Sequence, residues 1–404
     1  MRLRRLTSNA AAAVVGAVVG GVVVLAVDGA TRDLPPQPQQ PRVEASVPDI
    51  DVTRPRSVDH KRTILLAWAP GGLPSGAEGA LESMPAVISA TTIRAGLDWL
   101  ESSRTSDGVV LDASRKHLSI PFEVAIVEPR EYAEYVPPSE RESILALGPG
   151  HAVLAQTESE LRGAGGGLNL HLRGGRFEVT SVVSDVTTQG YEALLAGPVP
   201  TTWQRVDRFV LMRVKSVRAQ KAVAARLNAL LAPGQALRIR AQGETPFLRY
   251  GDAVLPQLHI KSTFGEFAAA PLSDGRITVQ PSWHAKNVTS RTVPILGRIT
   301  CHRGLFPQLD QALQQVVDEG LGFTIDPQDF GGCYSPRFID SNPGGRLSHH
   351  SWGIAIDLNV AQNRPGTRPD LDPRLVRVFE DNGFTWGGRW LVPDGMHFEW
   401  VRFP

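Results

Sequence analysis

Cysteine is scarce in this chain of 404 residues: Cys301 and Cys333 are the only two, and neither lies at ligand spacing from another cysteine or a histidine. That argues against a cysteine-based metal site and leaves one disulfide as the default reading in an oxidising compartment, with two buried free thiols as the alternative. An excess of charge of one sign is also lacking. Basic and acidic residues number 42 and 41, giving a net charge of +1, so no overall field recruits nucleic acid. Lysine is sparse in a composition rich in Ala, Gly, Arg and Pro, which carries no functional meaning by itself. A phosphate loop is missing too: Gly163-Ala164-Gly165-Gly166-Gly167 has neither the lysine nor the following helix, and reads as a flexible turn. His117, His151, His171 and His259 are scattered without ligand spacing and read as ordinary surface or core histidines.

What is present begins at the N-terminus. Met1-Arg2-Leu3-Arg4-Arg5 precedes an unbroken run of Ala, Val, Gly and Leu from Ala10 to Val27. At about 1.5 Å rise per residue that run just spans a hydrocarbon core, so a transmembrane anchor is expected over 10–27. The arginines of a cytoplasmic tail, 1–9, place everything after Asp28 outside the membrane. A cleaved signal peptide and a secreted chain are the alternative, although signal cores are usually only about 7–15 residues long. Residues 28–61, with Pro35-Pro36-Gln37-Pro38, read as a Pro-rich linker.

Residues 62–265 read as a folded mixed α/β region. Strands are expected at Thr63–Trp68, Phe122–Val127, Phe209–Val214 and Leu237–Ala241, and helices over Met84–Leu100 and Arg218–Leu231. Two strand–helix–strand passages suggest a duplicated small unit. No catalytic motif stands out in this stretch, and a protein partner is one role open to it. Residues 266–404 carry helices at Pro307–Glu319, with Leu309, Leu313, Val316 and Val317 on one face, and from Asp372-Pro373 to about Gly383, with Leu375, Val378 and Phe379 inward.

The chemistry gathers in this last region. Gly353-Ile354-Ala355-Ile356-Asp357-Leu358-Asn359-Val360 alternates with period two: Ile354, Ile356, Leu358 and Val360 form a core face, and the small or polar residues form the other. Met396-His397-Phe398-Glu399-Trp400 repeats the pattern, with His397 and Glu399 opposite the apolar set. Two strands thus direct polar groups toward a common site. Two imidazoles and a carboxylate can bind zinc and leave a fourth position open, the layout of a catalytic site. Asp394, three residues before His397, is placed to act as a general base, or else is a turn residue beside Gly395. His284 and His302 read as structural, and Glu399 either buttresses a ligand or is solvated.

Ser348-His349-His350-Ser351-Trp352-Gly353-Ile354-Ala355-Ile356-Asp357, followed by Asp394-Gly395-Met396-His397, resembles the VanY-like zinc peptidoglycan peptidases. The resemblance covers about the last third of the chain. It implies His350, Asp357 and His397 as zinc ligands, Asp394 as base, Ser348 hydrogen-bonding near the substrate and Arg337 steadying the oxyanion. It also selects His350 over its neighbour His349. Ser348 as a turn cap and Arg337 as a surface arginine remain the plain alternatives. Carboxypeptidase and dipeptidase members of that family typically carry Glu at the position of Asp394. The L-alanyl-D-glutamate endopeptidase branch carries Asp there and also resembles this chain in Trp386-Gly387-Gly388-Arg389-Trp390, while Gly395 departs from its usual proline.

The architecture expected is therefore α+β. A C-terminal zinc-peptidase domain, 266–404, has an antiparallel sheet core with flanking helices. A separate mixed α/β domain and the N-terminal transmembrane helix precede it. The function expected is a membrane-anchored, extracytoplasmic metallopeptidase that hydrolyses peptidoglycan stem peptides, at the L-Ala–D-Glu bond first. A D-alanyl-D-alanine carboxypeptidase and a non-catalytic wall-binding protein that keeps the metal-site fold are the alternatives.

Overall fold

Val87, Ile88, Thr91, Thr92 and Ile93 are β-branched, and they open the longest strand among the described residues rather than the helix expected over Met84–Leu100. The structure is a computed structural model that describes residues 64–113, 117–163, 167–253 and 255–403. Its strands are β1 (Ile64–Trp68), β2 (Val87–Thr105), β3 (Val110–Ala113), β4 (Ile120–Ile126), β5 (His151–Ala155), β6 (Leu168–Leu172), β7 (Gly175–Val183), β8 (Ala193–Leu195), β9 (Asp207–Val214) and β10 (Arg238–Ala241). The first half of β2 pairs with β9, from Val87↔Val214 to Ala95↔Asp207. Its middle pairs with β4, and its last turn of register pairs with β6. Stiff β-branched side chains suit that pleated surface, and pairing on both edges overrides the helix-like spacing of the apolar residues.

The order β2-β4-β8-β5-β7-β6 returns to β2, so six strands close into a barrel. Two of its junctions, β4–β8 and β5–β7, are parallel and the rest antiparallel. Closure removes the exposed edges that an open sheet of this kind would leave. Leu100, Phe122, Val124, Leu154, Leu170 and Leu195 pack among the buried residues of its core. Beyond the barrel, the first half of β2 continues into a sheet with β9, β1 and β10, and register shifts interrupt its pairing near Ser89, Ser102 and Arg104.

Two expectations are corrected by this architecture. The 62–265 region is a closed mixed barrel extended by a sheet, not a pair of strand–helix–strand repeats. The single-pass membrane topology also finds no support. No helix among the described residues is long and apolar enough to cross a membrane, and the run Ala10–Val27 and the linker 28–61 lie outside those residues.

The helix Gln257–Phe264 leads out of the barrel into short elements: the β11 (Ala269–Pro271)/β12 (Ile277–Val279) hairpin, the helix Pro281–Asn287, and the β13 (Val288–Val293)/β14 (Gly297–His302) hairpin. After the helix Phe306–Asp318 come β15 (Ala355–Asp357), the helix Pro373–Asp381, β16 (Phe384–Trp386) and β17 (His397–Trp400). β15, β17 and β16 form an antiparallel sheet with β17 in the middle. Leu309, Leu313 and Val316 face this core, whereas Val317 is exposed. Leu97 and Trp99 of β2 belong to the same core, and Trp99 meets Phe338 edge-on at 6.3 Å between ring centres. The long strand thus braces the region that carries the site.

Cys301, on β14, and Cys333 form a disulfide with their Cα atoms 5.3 Å apart. It closes a loop of 32 residues in sequence. Chain-entropy arguments put such a loop at about 3–4 kcal/mol of stability. Replacing both cysteines with serine is expected to lower the urea-unfolding free energy by about that amount. A loss below about 1 kcal/mol would show that the loop is already restrained in the unfolded chain.

Candidate metal centre and cleft

Three local features bring the polar residues together. Ser348 caps a single 3-10 turn, His349–Ser351, its Oγ accepting from the His350 N–H at 3.3 Å. Gly353 then turns the chain with φ +69°, where a Cβ would stand 2.6 Å from the backbone N of His302, so only glycine fits. The chain enters β15, whose register with β17 makes Asp357 and His397 direct cross-strand partners, with Ala355 opposite Glu399. Directly opposed residues share a face. Ile354, Ile356, Leu358, Phe398 and Trp400 are buried on the apolar side, while Met396 is only half-buried and lines the cleft.

His350 Nε2 lies 3.1 Å from Asp357 Oδ2, His397 Nδ1 lies 2.9 Å from Asp357 Oδ1, and the two imidazole nitrogens are 3.2 Å apart. All three residues are buried, and their ligand atoms lie within 4.8 Å of one another. The outer nitrogens are occupied. His350 Nδ1 meets the Cys333 carbonyl at 2.8 Å, and His397 Nε2 meets Glu399 Oε1 at 3.2 Å. Protons on those outer nitrogens leave the inner lone pairs directed at one point, so the donor set fits a metal ion. His349 does not join it; its Nδ1 lies 3.0 Å from Glu399 Oε1 and helps hold that carboxylate.

Charge follows from burial and pairing. Burial raises the Asp357 carboxyl, but His350 and His397 outweigh it and hold the group well below the usual carboxylate range. Burial likewise lowers His397, yet hydrogen bonds to Asp357 and Glu399 win and hold it up to about 10. His350, more deeply buried, is pushed down. A pair of anionic carboxylates around two imidazoles is a strong claim on a divalent cation.

The remaining expected residues surround this centre. The Arg337 guanidinium Nη2 lies 3.6 Å from Asp357 Oδ2, and its backbone is held by reciprocal hydrogen bonds with Ser351 Oγ at 3.1 Å. Asp394 accepts the His397 N–H on its carbonyl at 3.2 Å, a turn that explains the three-residue spacing. Its own N–H donates to Gly387, where a Cβ would stand 2.8 Å from the Asp394 carbonyl oxygen. Burial pushes the Asp394 carboxyl up to about 6, and its Oδ1 has no hydrogen-bond partner among the described residues. Arg337, Ser348, Asp394 and His397 share the wall of one cavity of about 420 Å³.

Comparison with known proteins finds a family model that matches part of this region. Residues 341–400 match the family model of D-alanyl-D-alanine carboxypeptidase. The matched segment contains His350, Asp357, Asp394 and His397, while Arg337 precedes it. Its match supports a peptidase. No curated protein matches the chain. Among solved structures, the periplasmic region of MacB from Actinobacillus actinomycetemcomitans is similar at 12% identity and a TM-score of 0.29. That alignment covers 44% of this chain and 88% of the other, a likeness too slight to establish a shared fold.

Sequence reasoning left the rest of the cavity wall unread. Trp390 lies 5.3 Å from His397, ring centre to ring centre, and Trp68, Arg205 and Tyr250 come from the barrel side. Nothing in the local sequence of Trp68, Arg205 or Tyr250 marks them, because they reach the matched segment only through tertiary packing, whereas Trp390 lies inside it, in the Trp386–Trp390 stretch noted above.

Glu399 is expected to matter as the partner that orients His397. Glu399→Gln should weaken metal affinity about 10- to 100-fold, read by competition with a chromophoric chelator. Unchanged affinity would show that β17 alone sets the ring.

Proposed function

We propose that this chain is a zinc-dependent peptidase of peptidoglycan stem peptides, its catalytic unit within 266–404. The observation that carries the proposal is the convergence of His350, Asp357 and His397 beside a buried, partnerless Asp394 oxygen, in a segment matching a peptidase family. His350 Nε2, His397 Nδ1 and the Asp357 carboxylate would hold the ion. When bound, zinc supplies Lewis acidity that makes water a usable nucleophile near neutral pH.

The chain's own residues account for the other requirements. Asp394 accepts the proton of the attacking water and returns it to the leaving amine; a carboxyl with a pKa of about 6 suits both transfers. Arg337, half-buried at the cleft, offers a guanidinium to the oxygen on which charge develops, an interaction worth about 2.7–4 kcal/mol for a well-placed donor. Ser348 shapes the turn that presents His350, and its hydroxyl borders the same cavity.

Asp at position 394 supports the L-Ala–D-Glu bond as the one cut. The description of the matching family supports the second reading, removal of terminal D-Ala. Incubating the zinc-loaded protein with defined muropeptides and reading products by mass spectrometry separates them. Release of L-Ala from the stem supports the first bond, and loss of one D-Ala supports the second. A zinc-loaded protein that cleaves neither sinks the peptidase reading.

A further inference from the structure

We propose that Arg205 and Arg346, set against Tyr250, form a carboxylate-binding subsite of the cleft, contributed jointly by the barrel side and the metal-bearing side. This inference rests on the peptidase reading and names the substrate chemistry that the cleft selects.

Arg205 lies just before β9, and Arg346 lies on the approach to Ser348, so they are far apart in sequence. Glycine brings them together. A Cβ at Gly344 would stand 2.4 Å from Gln204 Cβ and 3.1 Å from the Arg205 backbone N, and one at Gly251 would stand 2.6 Å from Arg346 Nη2. At Gly344 two backbones approach closer than a side chain allows, and at Gly251 the bare backbone leaves room for the Arg346 guanidinium. The two guanidiniums then share one carboxylate: Arg205 Nε lies 3.0 Å from Asp207 Oδ1, and Arg346 Nε lies 3.6 Å from Asp207 Oδ2. Two positive charges against one negative leave an excess of one, and Asp207 is buried while the arginine side chains are 31% and 19% exposed.

Tyr250 fixes the geometry. Its carbonyl accepts from Arg346 Nη1 at 3.3 Å, its ring lies 5.5 Å from the Arg346 guanidinium carbon, and its hydroxyl donates to the Ala69 carbonyl at 3.2 Å. Arginines held this way lose little freedom when they take a planar anion. The other guanidiniums of the cavity already have acidic partners, Arg249 in Glu123 and Arg337 in Asp357. Of the acidic wall residues, Asp252 is paired with Arg238 at 3.5 Å and accepts the Leu391 N–H. Asp340 sits exposed at the rim. Among the guanidiniums of this wall, Arg205 and Arg346 are the two that share a single carboxylate, in the same cavity of about 420 Å³ that reaches His397 and Asp394. That volume suits a short peptide. Stem peptides carry free carboxylates at D-Glu and at the C-terminus, so one carboxylate at this pair would set the peptide's register on the metal centre.

The test uses the full zinc-loaded chain and a stem tetrapeptide in three forms: unmodified, amidated at D-Glu, and amidated at the C-terminus. Arg205→Gln and Arg346→Gln, made singly so that Asp207 keeps one partner, should raise KM about 10- to 100-fold with kcat little changed. Amidating the recognised carboxylate should raise KM equally in the unaltered protein and add nothing in the variants. Which amide does so identifies the carboxylate, and Arg205→Lys should recover part of the loss. If Arg346→Gln does not fold, the more exposed Arg205→Gln carries the test. Titration calorimetry with the same peptides reads binding apart from turnover. Carboxylate-dependent binding without hydrolysis keeps the subsite and sinks the peptidase reading. Hydrolysis with equal KM for all three peptides, or variants that bind every form as the unaltered protein does, overturns the subsite.

Discussion

Asp394→Asn is expected to lower kcat by about 10²- to 10⁴-fold while the protein still binds one metal ion per chain. The amide keeps the shape of the carboxyl and removes only its capacity to take a proton. Two observations set the expectation. The Asp394 backbone is fixed at both ends by hydrogen bonds, to Gly387 and His397, so the substitution has no reason to shift β17. The ligand atoms of His350, Asp357 and His397 already converge without any contribution from Asp394. Metal content by atomic absorption, beside steady-state kinetics on the best muropeptide, checks both halves. Loss of metal along with activity would make Asp394 a ligand. Retention of both would move the base elsewhere in the cleft.

Lys261→Met is expected to destabilise the fold by about 3–5 kcal/mol, the range for removing one partner of a buried ion cluster. Lys261 is fully buried, with Nζ 2.8 Å from Glu266, 3.1 Å from Glu192 and 3.4 Å from Glu158. Arg162 closes the cluster, 2.9 Å from Glu158 and 2.8 Å from Asp112, and also meets Glu266. Two cations thus face four carboxylates, and burial raises the Glu192 carboxyl while Lys261 pulls it down. Removing Lys261 strands carboxylates that water cannot reach. The cluster ties the helix Gln156–Arg162 and the start of β8 to the helix Gln257–Phe264, which leads toward the metal centre. Urea unfolding measures the loss. A companion variant, Lys261→Met with Glu158→Gln and Glu192→Gln, should recover much of it, because the stranded charges go with their partner. A single-variant cost below about 1 kcal/mol would mean that water enters the cluster.

The site was far more legible than the fold around it. Alternation in 353–360 and 396–400 marks which residues share a face, and a sheet with period two leaves little freedom about where Asp357 and His397 point. The hydrogen bonds of His350 and His349 then separate the convergent ring from its neighbour. The barrel was not legible, because its closure depends on β2 meeting β6 across more than sixty residues of chain, and no local pattern announces such a pairing. Met84–Leu100 was misread for a related reason. Its apolar residues fit a helical spacing, and only the partners on both edges of β2 decide for a strand.

What the sequence determined by itself is the set of candidate ligand types, their spacing and the faces they occupy, all set by steric rules acting over a few residues. What tertiary structure decided is the company that chemistry keeps. The barrel side lends Arg205 and Tyr250 to the cleft, Gly344 lets two distant backbones touch, and Glu399, open in the sequence between buttress and solvated residue, is the buried partner of His397. Those outcomes depend on contacts between segments far apart in the chain, where close packing and charge burial are decided collectively and not by any one stretch of residues.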